Sequence, residues 1–111
     1  MKTAITILAC SVLLMGVVHM FFALPIEHFN LGYIWYFGSG LAILFNGALN
    51  LIGIENKRTP IGTGLILLAN VLMCFAYIGV LFALPEPQVY IGIALFAALA
   101  ILTVVDYRKR T

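Results

Sequence analysis

LAILFNGALNLIGIENKRTPIGTGLILLAN, residues 41–70, decides how this chain is built. Two apolar runs meet there at a short polar turn that carries Glu55, Lys57 and Arg58, and Pro60 opens the second run. Each run reads as a helix that leaves the turn and enters a bilayer. Working outward, no Lys, Arg, Asp or Glu interrupts Thr3 to Leu24, Tyr33 to Ile54, Pro60 to Leu84 or Val89 to Val105. A helix rising about 1.5 Å per residue crosses a hydrocarbon core of about 30 Å in about 20 residues. The expected fold is therefore all-α, an integral membrane four-helix bundle. Its helices should cover residues 3–24, 33–54, 60–84 and 89–106 of a single transmembrane domain, 1–111.

The six basic residues are Lys2, Lys57, Arg58, Arg108, Lys109 and Arg110. Lys and Arg accumulate in cytoplasmic loops, which predicts an up-down-up-down path with both termini and the middle turn cytoplasmic. The loops at Glu27-His28 and at Glu86 should then lie outside. Such a chain is multi-pass, in the bacterial inner membrane or an equivalent one, and its first partner is the lipid bilayer. At 64% hydrophobic and 9% charged, it has too little polar surface to stay soluble alone. The net charge of +2 follows from topology, and no nucleic-acid partner is expected. A basic tail suits anionic head groups.

The first apolar run exceeds the roughly 7–15 residues of a signal-peptide core, so it is expected to remain as a helix. Cys10 reads as an apolar membrane residue rather than a lipidation site. Counted from the cytoplasmic ends, Cys10 lies about 10 Å deep and Cys74 about 21 Å deep. A disulfide needs Cα atoms about 4.4–6.8 Å apart, so the two should stay unbridged.

Pro25 and Pro85 should close helices 1 and 3, Pro60 should open helix 3, and Gly53 should loosen the end of helix 2. Tyr33, Trp35, Tyr36 and Tyr90 cluster near the outer boundary, where amphipathic rings prefer to sit, and Tyr107 does the same inside. Trp35 and Tyr36 are candidate aromatics of an outer mouth. Phe22-Ala23-Leu24-Pro25 recurs as Phe82-Ala83-Leu84-Pro85, and Gly32 matches Gly92 at the same offset. Two related hairpins would explain the echo, although a short match is cheap in so apolar a chain.

With no charge expected inside the bilayer, the uncharged polar side chains carry the information. Trp35, Ser39, Asn46 and Asn50 share one face of helix 2, as Thr63, Asn70, Cys74 and Tyr77 do on helix 3. Measured from the turn, Asn50 should meet Thr63, Asn46 should meet Asn70, Ser39 should meet Cys74 and Trp35 should meet Tyr77. The ladder is either a device that fixes helix register or the lining of a hydrated cleft. His19 lies close to the level of Ser39 and Tyr77 and should face the bundle interior. Three roles stay open for it: a hydrogen-bonded structural imidazole, a proton-sensitive gate near the outer mouth, or a soft-metal ligand beside Met15 and Cys74. The candidate polar cluster is thus His19, Ser39, Asn46, Asn50, Asn70, Cys74 and Tyr77.

Neither a metal nor another cofactor is expected. No Cys-x-x-Cys or His-x-x-x-His pair supports a metal, and His28, the only possible second axial ligand for a haem, belongs to a loop. Catalytic residues are not identified either. Glu27, Glu55, Glu86 and Asp106 all fall at helix ends, where they read as boundary charges. Gly38 and Ala42 form a small pair on helix 2, and Ala94 and Ala98 form another on helix 4, each a surface for close helix packing. In length and four-helix layout the chain resembles the small multidrug-resistance exporters, which act as dimers. That family depends on a membrane-embedded Glu in helix 1, absent here, so the resemblance implies no shared mechanism. Two functions remain: a non-enzymatic assembly, accessory or lipid-binding subunit, or a small oligomeric transporter or channel with a polar path between helices 2 and 3. Either allows a homo-oligomer or a larger membrane complex as partner.

Overall fold

Four helices follow one another along the chain: α1 (Lys2–Phe21), α2 (Leu31–Glu55), α3 (Pro60–Ala83) and α4 (Pro87–Arg110). A computed structural model describes residues 1–22 and 30–110. The last expected turn of helix 1 to Leu24, its closure at Pro25, the loop at Glu27-His28 and Thr111 lie outside the described residues. All four helices are long and apolar enough to cross a membrane. Exposed Ile7, Leu14, Phe45, Ile52, Leu72, Phe75, Phe82 and Ile91 ring the bundle with apolar side chains, as a lipid-facing surface would require.

Local chemistry sets the helix ends. The Asn30 side chain accepts a hydrogen bond from the Tyr33 nitrogen at 2.9 Å, which caps α2 and starts it two residues earlier than the charge pattern suggests. Thr59 caps α3 in the same way, accepting from Gly62 at 3.0 Å, with Pro60 in the first turn. α4 continues past its expected end near residue 106, so the basic tail is helical to Arg110. Arg110 has partners there that hold the last turn, described below.

The helices pack in two close pairs, α1 with α2 and α3 with α4. On α1 the buried positions are Ile5, Ala9, Val12 and Gly16, a stripe at helical spacing. Facing it, α2 buries Gly40, Ile43, Asn46, Gly47, Asn50, Gly53 and Ile54. Glycine makes this seam tight. A Cβ on Gly16 would come within 2.7 Å of the Leu44 nitrogen, and one on Gly47 within 2.9 Å of the Ala9 carbonyl oxygen. In the second pair the Tyr77 ring of α3 occupies the space where Gly92 of α4 has no side chain.

Within the chain, the two expected small-residue pairs do not supply the close packing. Gly38 has nothing within 4 Å of an added Cβ, and Ala42 is exposed, so the close approach belongs to Gly40 and Gly47 instead. On α4, Ala94 is exposed and the packed stripe is Val89, Gly92, Phe96, Leu99, Thr103 and Asp106. Gly32 and Gly92, equivalent in the sequence echo, have different surroundings: Gly92 is buried against Tyr77, while Gly32 is exposed.

Lys2 at the start of α1 pairs with Glu55 at the end of α2 at 3.4 Å. Arg58, just before α3, pairs with Asp106 near the end of α4. These contacts gather the described basic residues at one end, called the basic end below. α3 is the least enclosed helix, burying Thr63, Ile66 and Asn70. Its contact with α2 is slight compared with either close pair.

Candidate functional site

The basic end is closed by a charged cluster. Arg58 and Asp106 have side chains only 2% and 5% exposed, and the Arg58 Nε donates to Asp106 Oδ2 at 2.9 Å. Arg110 donates to the same carboxylate, with Nε 3.3 Å from Oδ1, and its other nitrogens reach the carbonyl oxygens of Ile54 and Asn56 at 3.3 and 3.2 Å. Those carbonyls belong to the end of α2, where orphan acceptors need donors. Gly53 makes room for the buried guanidinium, since a Cβ there would come within 3.0 Å of Arg58 Nη1. The expectation that Asp106 is a boundary charge is therefore corrected. Its carboxylate is buried because two arginines from separate segments converge on it, which makes the pair tolerable in a low dielectric. A pairing across 48 positions leaves no periodic trace in the sequence.

Toward the middle, three asparagines form a second cluster. Asn50 and Asn70 exchange two amide hydrogen bonds, each 2.9 Å, between α2 and α3. Asn50 Nδ2 also reaches the Asn46 carbonyl oxygen at 2.8 Å and its Oδ1 at 3.2 Å. All three residues are buried. Asn46 Nδ2 and Thr63 Oγ1 are buried without a partner among the described residues.

The expected ladder between helices 2 and 3 is thus replaced by one rung in a shifted register, Asn50 to Asn70. Ser39 donates back to the Trp35 carbonyl at 2.8 Å within α2. Cys74 turns to α4, its thiol 3.9 Å from the Ile93 carbonyl oxygen. Tyr77 packs edge-on to Phe96, ring centroids 5.3 Å apart, and Trp35 is 69% exposed. The reason lies in the two close pairs. Glycines draw α2 onto α1 and α3 onto α4, so beyond the asparagines the faces of α2 and α3 stand apart.

A cavity of about 610 Å³ occupies that space at the end opposite the basic cluster. Its base is formed by Met15, Ile43 and Met73, about one helical turn from Asn46 and Asn70. Above them come His19, Ser39, Ala42, Ala76 and Tyr77. Nearer the helix ends stand Val18, Phe22, Tyr36, Val80, Leu84, Gln88 and Val89. Among the described residues no Lys, Arg, Asp or Glu lines these walls. The His19 ring lies stacked on Tyr36, centroids 4.1 Å apart and planes 16° from parallel. Its Nε2 is buried and lacks a partner among the described residues.

The candidate cluster read from the sequence is therefore divided. Asn46, Asn50 and Asn70 come together, His19, Tyr36, Ser39 and Tyr77 share the cavity, and Cys74 and Trp35 join neither group. Cys10 and Cys74 are both free. Among the described residues no three His, Cys, Asp or Glu side chains converge as a metal site. The arrangement can hold an apolar guest with a few hydrogen bonds, since binding cavities of about 300–1,000 Å³ with a small number of polar groups are of that kind. Comparison of the chain with protein-family models, with characterised proteins and with solved structures finds no match to any of the three.

Proposed function

We propose that this chain is a single-domain, non-enzymatic membrane protein that crosses the bilayer up-down-up-down, has both termini in the cytoplasm, and serves as a lipid-binding subunit. The observation that carries this reading is the uncharged cavity between α2 and α3. A largely apolar hollow that opens among lipid-facing helices offers an acyl or isoprenoid chain the same burial that bilayer lipid does, with added fixed contacts. The orientation rests on the basic end, where the described Lys and Arg residues gather. A transporter with a path between α2 and α3 would have to part the Asn50–Asn70 pair and then pass the Arg58–Asp106 cluster.

Two measurements test the reading. The first is native mass spectrometry of the purified chain after detergent exchange, which should show one retained lipid per chain. Retention of none, together with solute flux through liposomes containing the chain, would favour the transporter instead. For orientation, cysteine at Lys2 should resist a membrane-impermeant thiol reagent in intact cells, in a background lacking Cys10 and Cys74, while cysteine at Gln88 should react. The reverse pattern would invert the topology.

A further inference from the structure

The cavity walls specify more about a guest than its being a lipid. We infer that the space between α2 and α3 takes an uncharged, single-tailed lipid whose head places a hydrogen-bond acceptor between Tyr36 and Tyr77 and whose tail leaves between the two helices. This assignment rests on the lipid-binding reading above and narrows it to one chemical class.

Charge is the first constraint. Among the described residues the walls contain no Lys, Arg, Asp or Glu, and Glu86, two residues from the wall residue Gln88, already accepts from it. A phosphate or ammonium drawn inside would lose hydration without gaining a counter-ion, a cost of several kcal/mol per ion. An uncharged head meets no such penalty.

Hydrogen bonding is the second. The Ser39 hydroxyl proton is committed to the Trp35 carbonyl, and the free His19 nitrogen is buried rather than open to the cavity. A Cβ on Gly40 would lie 3.3 Å from the adjacent His19 Cδ2, so that edge of the ring is covered by α2. The phenols of Tyr36 and Tyr77 remain. They line the same cavity from two walls, Tyr36 on α2 and Tyr77 on α3. Two phenol donors, one on each wall, suit a carbonyl or ether oxygen.

Access is the third. Glycine contacts close the α1–α2 seam, the Gly92–Tyr77 contact closes the α3–α4 seam, and the Asn50–Asn70 pair closes the cavity toward the basic end. Two seams join the close pairs, α1–α4 and α2–α3, and it is the second that exposed Ala42 and Ala76, both in the cavity wall, flank. Small side chains on both sides of one seam admit one chain.

The test uses the full chain in phosphatidylcholine nanodiscs, titrated with radiolabelled 1-oleoylglycerol. Oleoyl-lysophosphatidylcholine and oleoyl-lysophosphatidic acid carry the same tail on zwitterionic and anionic heads. The expected result is saturable binding of one 1-oleoylglycerol per chain, with both charged lipids at least about tenfold weaker. Tyr36→Phe and Tyr77→Phe together should weaken it about tenfold, in line with loss of one or two ordinary hydrogen bonds. Ala76→Trp or, independently, Ala42→Trp should remove it by filling the seam, while Ile7→Trp on the outer surface should leave it unchanged. Equal binding of all three lipids, sensitive to the Trp variants, would overturn the uncharged-head assignment and leave lipid binding standing. Binding insensitive to both Trp variants would overturn the location. No saturable binding of any lipid would overturn both this inference and the function it rests on.

Discussion

At the basic end, Asp106 is held by two guanidinium groups and Arg110 satisfies two backbone carbonyls of α2. At the opposite end the His19 ring lies stacked on Tyr36, Trp35 is exposed, and a cavity separates α2 from α3. The same four helices thus form a closed half and a hollow half. The difference arises from where polar partners cross between the two close pairs. Arg110 on the Ile54 and Asn56 carbonyls joins α4 to α2, Asn50–Asn70 joins α2 to α3, and both lie toward the basic end. Beyond them the pairs are joined by apolar contact, which permits separation. In a membrane, where apolar surface gains little by leaving lipid for protein, crossing hydrogen bonds decide where a bundle closes.

The comparison is broken most severely at Asp106. Asp106→Leu leaves the Arg58 guanidinium buried without its anion, and removing one partner of such a pair costs about 3–5 kcal/mol. Arg58→Leu strands the carboxylate less completely, because Arg110 still reaches it. The double variant Arg58→Leu with Asp106→Leu should be markedly more stable than Asp106→Leu alone. Reversible unfolding in mixed micelles measures all three, and additive losses would show that the pair is not coupled.

The next effect belongs to the glycines of the α1–α2 seam. Gly16→Ala places a methyl group 2.7 Å from the Leu44 nitrogen, a backbone atom that cannot rotate aside, and overpacking of this kind costs about 1–3 kcal/mol. Gly38→Ala meets open space and should change stability by less than about 1 kcal/mol, with helix propensity favouring the alanine. The contrast shows what the sequence discloses and what it withholds. Four apolar runs and the opening of α3 at Pro60 are legible because composition and local chemistry determine them, whereas the side-chain caps at Asn30 and Thr59 went unread because a charge pattern marks the extent of an apolar run and not the first turn of its helix. Gly38 and Gly40 look alike in sequence, and only the helix facing them distinguishes a packed glycine from an exposed one. The cavity was illegible for the same reason: depth placed Ser39 level with Cys74, but depth does not show that each helix prefers another neighbour. Asp106 was misread because helix-end acids are usually solvated, and its partner lies in a turn far along the chain.

A smaller effect is expected at the single rung that joins α2 to α3. Asn50→Leu leaves Asn70 in a buried apolar setting, as Asn70→Leu leaves Asn50, and each single change should cost about 1–3 kcal/mol. Replacing both removes the mismatch. The double variant should therefore cost less than the sum, by the roughly 0.6–1.7 kcal/mol typical of coupled polar pairs in membranes. Asn46 sharpens the case, because its Nδ2 is already unpartnered and only its oxygens serve Asn50. Asn46→Leu should cost less than Asn50→Leu under the same unfolding conditions.

The smallest effect, and the one most specific to the hollow half, is at His19. It contributes the ring stacked on Tyr36 and a polar contact with the Tyr36 backbone, while Nε2 has no described partner to lose. His19→Phe keeps a flat ring in place and removes the unsatisfied nitrogen at the loss of one backbone contact, whose net worth is about 0.5–1.5 kcal/mol, so stability should stay within about 1 kcal/mol of the parent. His19→Leu forfeits the stacking and should cost the roughly 0.5–1.5 kcal/mol that an aromatic pair contributes beyond its burial. The order of the two variants is the informative result. If His19→Leu were the milder change, the stack would contribute little. If His19→Phe were the more damaging by several kcal/mol, the imidazole would be engaged in polar contacts beyond the Tyr36 backbone, and the hollow half would be closed by hydrogen bonds as the basic half is.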